Sequence, residues 1–264
     1  HRGNAIKILG RALARGIDDM PLRLAGCGGG TAFNAIAAAA AADIVLPVGQ
    51  VAKFQDRIRQ LQQDLRAEYA QSDPGILLTY TPAGEPAADA RAMSVADTRR
   101  FVLMLLGWPC GIAEMCVTPR GLVETSNNLG PLADDGQSIR LKSLARSLSA
   151  SGLAAQSRSI QAVGLLASAT ITSMPGNPPW QPEPDSDLLR QMSASYRRVF
   201  DTEPVVEVIH AGLECALLGV IYPDMEMIAI GPTLKDVHSP RERLHLPSVS
   251  KVWDLLVEFL RTTR

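Results

Sequence analysis

Close cysteine pairs are missing from this sequence: the four cysteines, at 27, 110, 116 and 215, do not form a zinc knuckle. Four in 264 residues is also far below the density of a disulfide scaffold, so reduced thiols and a cytoplasmic setting are expected. There is no long run of one charge sign and the net charge is -1, which argues against a nucleic-acid or polyanion partner and favours a small polar ligand. No HExxH, HxD or CxxC spacing occurs, so a complete catalytic zinc site, with its three protein ligands, cannot be built from local motifs. The longest apolar stretch, AIAAAAAADIVLPV over 35–48, is shorter than a bilayer span and carries Asp43; it reads as a core segment, and no transmembrane helix is expected. The chain opens HRGNAIKILG, with neither an initiator methionine nor the basic and apolar regions of a signal peptide, and is expected to be part of something longer.

What is present is the material for two packed units. Hydrophobic residues make up 46% and charged residues 20%, enough for a sizeable core. Asn4, followed by apolar residues at helical spacing, predicts a capped helix ending near Gly16; LRLAG predicts a strand. Residues 31–48 leave helix and strand open, because alanines favour the first and DIVLPV the second. Spaced leucines predict a helix over 51–71, and further helices are expected over 95–108 and 153–163. PGILLTYTP and LLASATITS read as strands, and RGLVETSNNLGPL and SIRLKSLARSLSAS, around ADDGQ, as an antiparallel hairpin. The proline-dense MPGNPPWQPEPDSD marks a boundary or extended linker. Beyond it, helices over 188–200, 211–218 and 249–260 alternate with the strand candidates VVEVI and EMIAIGP. The first part thus reads as α+β, with an antiparallel sheet and covering helices, and the second as α/β.

Histidine is scarce, so its placement is informative. His238, between a strand end and Pro240, is either a metal ligand oriented through its second ring nitrogen or a turn histidine packed on the proline. His245 alternates with leucines and reads as a half-buried structural residue. His210 either bonds to backbone at a strand end or lines a pocket at the following helix start. There Gly212 can present its amide to a substrate carboxylate. Glu214 reads as a general base or, more simply, a capping residue, and Cys215 as a small buried side chain. Arg146 is a surface arginine or a bidentate carboxylate binder.

Five stretches in order, RGNAIKIL, GGGTAFNAI, GLVETSNNLG with SIRLKSLARSL, PPWQPEPDSDLL, and IHAGLEC through YPDMEMIAIGPTLKDVHSP, resemble the C-terminal part of the bacterial aminoacyl-histidine dipeptidases, also called Xaa-His or cytosol non-specific dipeptidases. The resemblance implies a lid domain over 1–178 and the second part of a zinc-peptidase catalytic domain over 179–264. The parent reaction would be hydrolysis of unblocked dipeptides, including Xaa-His, by water activated between two zinc ions. At most one zinc ligand, His238, would lie here, and this chain alone would be inactive. By the same resemblance Asn34, Arg146, Gly212 and His210 bind substrate, with Arg146 and Gly212 at its carboxylate, and Glu214 becomes a supporting residue. The implied partner is a small dipeptide, with room for a homodimer and with no nucleic acid or membrane. The family usually has an arginine where Phe33 stands and a proline-arginine-glutamate run where alanines follow Ile36. The alternatives are a non-catalytic binding or dimerisation module, or a related amidohydrolase acting on another acyl substrate.

Overall fold

The computed structural model describes residues 2–85, 90–117, 120–181, 183–208, 213–237 and 241–263. The chain divides into two compact units, His1–Met174 and Pro175–Arg264, and the division falls inside the proline-dense segment. Helices and antiparallel strands combine into a mixed α/β fold.

The first unit is built on a five-stranded antiparallel sheet: β1 (Arg23–Gly29), β2 (Ala40–Val45), β3 (Gly111–Met115), β4 (Val123–Asp134) and β5 (Ile139–Ser147). β4 organises it. Along one edge it pairs with β5, and along the other it pairs with β3 in its first half and meets β1 through Gly29 and Leu132. The ladder shifts register between Leu129 and Leu132, around Gly130, whose φ of 137° a side chain would strain.

Four helices accompany this sheet. In α1 (Ala5–Ala14), Asn4 accepts from the amides of Ile6 and Lys7 and donates to the Leu129 carbonyl at 2.8 Å, so a single side chain starts the helix and ties it to β4. α2 (Val48–Glu68) buries Phe54, Ile58, Leu61 and Leu65, one helical stripe, and turns its charges outward. Several of those charges pair with α1 and the turn after it: Arg11 with Glu68, Arg15 with Asp64, and Lys53 and Arg57 with Asp19. α3 (Val95–Gly107) starts at Ser94 and packs through Phe101, Val102 and Leu105; its buried Thr98 accepts the Leu24 amide of β1. Its last carbonyls, those of Leu105 and Leu106, together with that of Trp108, are met by the Lys7 ammonium at 2.7–2.9 Å. Burial pushes the Lys7 pKa down from its ordinary value. α4 (Ala150–Leu166), capped by Ser149, packs on β4 and β5.

Two strand expectations in this unit fail. Residues 76, 78 and 80 do alternate inward, but the Leu78 amide and the Ile76 carbonyl bond to the Gln62 side chain of α2 instead of to a neighbouring strand. In LLASATITS, Leu165 and Leu166 continue α4, and the chain folds back so that the Ala169 amide reaches the Gly164 carbonyl and Ile171 fills the space over Gly164. Residues 31–48, open between helix and strand, contain β2 and then the first residue of α2; β3 was not anticipated.

In the second unit α5 (Asp187–Phe200) packs against α7 (Leu246–Thr262), joined by Arg198, which bonds Glu258 and Thr262. Ser186 caps α5, and the Glu226 carboxylate accepts the amides of Asp187 and Leu188 at 3.0 and 2.8 Å. α6 (Glu214–Ile221) and a two-residue ladder of β6 (Leu234–Lys235) with β7 (Arg243–Leu244) complete the elements. The expected strands do not form among the described residues: 205–208 and 226–232 make no ladder, Val205 is 83% exposed, and Glu226 serves the start of α5.

Candidate substrate-binding face

Register assigns the two faces of the β4–β5 hairpin. Thr125, Asn127 and Leu129 stand opposite Ser147, Ala145 and Ser143, and all three β4 residues are buried. Their polar groups are satisfied on that side: Thr125 bonds Ser147, Ser143 donates to Asn127, the Trp108 indole donates to Ser143, and Asn127 donates to the Pro109 carbonyl. Among the described residues no buried side-chain nitrogen or oxygen lacks a partner.

Ser126 and Asn128 project from the other face, opposite Arg146 and Leu144 of β5. All four are half-buried. Diagonal neighbours on one face of an antiparallel pair lie about 7–8 Å apart, so Arg146 and Asn128 are within reach of one small molecule. The Asn128 amide donates to two carbonyls at once, Phe33 at 2.8 Å and Ala35 at 2.7 Å. Between those two carbonyls lies Asn34, exposed at the tip of the β1–β2 connection. The turn is held from its other side as well, because the Ala5 amide bonds the Ala37 carbonyl and Ala37 is buried. A guanidinium and a turn bearing an exposed asparagine are therefore brought to one sheet face by strand pairing and one side-chain clamp. Such a pair can accept a carboxylate on the cation and hydrogen-bond a peptide group with the amide.

Asn128 was not singled out in the sequence. The run ETSNN is polar on both faces, so no alternation marks Asn128 out there.

Other candidates are placed differently. His210, Gly212 and His238 lie outside the described residues. Glu214 is exposed in the first turn of α6, where a carboxylate complements the helix dipole. Cys215 follows it, partly buried. His245, expected to be half-buried, is exposed at the start of α7; its amide bonds Thr233 and its carbonyl accepts from Ser248.

Burial disfavours the thiolate form of two cysteines in the first unit. Burial, reinforced by the charge of Asp134, pushes Cys27 up to about 12, and burial likewise raises Cys110. Cys27 lines an open depression of about 360 Å³ with Gly26, Asp43 and Asp134. Among the described residues no group of three or more His, Cys, Asp or Glu side chains is placed to hold a metal ion, so they do not by themselves make a zinc site. No helix among them is long and apolar enough to cross a membrane.

No protein-family profile matches the chain. It is 34% identical over 260 residues to the cytosol non-specific dipeptidase of Escherichia coli (strain K12), an alignment that covers 98% of this chain and 53% of that protein. The crystal structure of aminoacylhistidine dipeptidase from Vibrio alginolyticus superposes with a TM-score of 0.88 at 34% identity, over 100% of this chain and 53% of that one. The chain thus spans about half the length of the proteins it matches. By sequence and by fold, it is a homologue of the C-terminal half of the cytosol non-specific, or aminoacylhistidine, dipeptidases.

Proposed function

We propose that this chain serves the hydrolysis of dipeptides with free termini, Xaa-His among them, as a substrate-covering lid (1–178) and the second part of a catalytic domain (179–264). The observation that carries this is the second face of β4–β5, where strand register sets Arg146 beside the Asn128 clamp on the turn bearing Asn34. In this reading Arg146 binds the dipeptide's C-terminal carboxylate through two parallel hydrogen bonds and Asn34 bonds the peptide group. Gly212 offers its amide to the same carboxylate, His210 lines the pocket, and Glu214 supports the helix start. His238 is the single ligand this chain contributes to a pair of zinc ions; when bound, such a pair supplies an activated water.

Support for the domain assignment comes from the second unit. Leu217, Val220, Ile221, Leu246 and Trp253 are all at least half exposed, an apolar surface of the sort that a covering partner normally removes from water. The remaining length of the dipeptidase homologues would be that cover and would bring the other metal ligands, so the chain alone is inactive. A cytoplasmic location and a homodimer accompany the proposal.

The test is hydrolysis of an aminoacyl-histidine by the complete gene product, with added zinc and with a chelator. Release of histidine that the chelator abolishes is expected. Arg146→Ala should lower kcat/KM by about 10- to 100-fold, the loss of a charged hydrogen-bonding partner. No release of histidine in zinc, or full activity in Arg146→Ala, overturns the reading.

A further inference from the structure

Resting on the substrate role proposed for Asn34, the structure assigns Asn128 as the positioning residue that fixes the Asn34 turn relative to Arg146. The two carbonyls that Asn128 holds are those of the residues on either side of Asn34, so peptide units 33–34 and 35–36, before and after the exposed residue, are restrained by one amide group. No other side chain is recorded bonding to those two carbonyls among the described residues.

The anchor is rigid where it matters. Asn128 lies on the central strand of the sheet, in unbroken register with Leu144, and Ser126 two residues before it pairs with Arg146. The residues that alternate with it, Asn127 and Leu129, are buried and fix the strand from the core side. The turn, by contrast, belongs to a ten-residue connection between β1 and β2 with no ladder of its own, and residues 33–36 are all exposed. A mobile turn would spread Asn34 over many positions, and binding would have to restrict it each time. With two donors on the strand that faces Arg146, that cost is met during folding, and the separation of the two binding groups is set before substrate arrives.

Asn128 itself need not touch substrate, since both its amide protons are committed to the turn. Its effect on turnover then passes through the turn that carries Asn34. Asn128→Asp keeps the side-chain shape and removes both donors, and Asn128→Leu removes them without setting a charge diagonal to Arg146 and should give the same loss.

The experiment is a double-mutant cycle in the complete gene product with a dipeptide substrate, comparing Asn128→Asp, Asn34→Ala and the double variant, alongside hydrogen exchange of amides 31–37. Expected are faster exchange in that segment for Asn128→Asp, a drop in kcat/KM of about tenfold in each single variant, and no further drop in the double. Additive losses, or unchanged exchange, overturn the role of Asn128 alone. An Asn34→Ala variant with wild-type kinetics, or a wild-type protein without dipeptide hydrolysis, is instead the failure of the underlying reading and takes the positioning role with it.

Discussion

The two units spend their apolar residues differently. In His1–Met174, twenty hydrophobic side chains drawn from all three of α1, α2 and α3 and from the sheet close into one buried cluster. Among the described residues of Pro175–Arg264 the buried hydrophobics are Met192, Ala216 and Leu255, while Leu217, Leu218, Val220 and Ile221 of the eight-residue α6 are all exposed. The contrast is not one of composition, because both units carry apolar residues in strand-like and helix-like patterns. It lies in whether a partner element is present to receive them.

Truncation should expose that difference most strongly. Leu61→Ala removes a fully buried side chain from the face of α2 and is expected to cost about 2–5 kcal/mol, transfer plus cavity. Leu217→Ala removes the same atoms where half the side chain is already in water, and should cost well under about 1 kcal/mol in this chain. Urea unfolding of the two variants measures both. A loss for Leu217→Ala equal to that of Leu61→Ala would mean that the second unit has a core of its own and would break the comparison.

The same division explains what could be read from sequence. A helix start was legible where a cap and a stripe coincide, at Asn4 before α1; Ser94 and Ser186 take the same role before α3 and α5 in the structure. The β4–β5 hairpin was legible because the ADDGQ turn is followed by a strand that alternates charged and apolar residues. Isolated strands were not. PGILLTYTP, LLASATITS, VVEVI and EMIAIGP have strand composition, but a ladder also needs a neighbour, and in this chain Gln62, Gly164 or water meets those segments instead. β3 escaped because GIAEM is five residues long and mostly exposed at the sheet edge. At the candidate site, spacing alone left Arg146 a surface arginine. Only the register with β4, which shifts between Leu129 and Leu132, shows that it shares a face with Asn128.

A second, smaller contrast concerns helix starts. Asn4 caps α1 and also reaches Leu129, 125 residues away, from a buried position. Asn4→Ala should therefore cost about 2–3 kcal/mol, a cap plus a buried hydrogen bond left unmade. Glu226 caps α5 from an exposed position, and Glu226→Ala should cost about 1 kcal/mol or less. Thermal unfolding monitored by circular dichroism ranks the two, and equal losses would show that the long-range bond to β4 adds nothing.

At neutral pH the smallest effect expected is that of a thiol whose contribution changes only in alkali, and it belongs to the first unit because it needs a partly buried surround. Cys27 has its pKa pushed up to about 12 in the folded chain by burial, whereas in the unfolded chain the thiol ionises near its ordinary value of 9. Between those values the unfolded state releases a proton that the folded state keeps, so stability falls as pH rises. Below about pH 9 both states hold the proton and the contribution is constant. Cys27→Ala removes this term, so its urea midpoint should decline less steeply than that of the parent chain above pH 9. Cys110, also raised by burial, leaves a residual slope in that variant. Parallel alkaline slopes in the parent and Cys27→Ala would show that water in the depression lined by Cys27, Asp43 and Asp134 hydrates the thiolate and cancels the effect of burial.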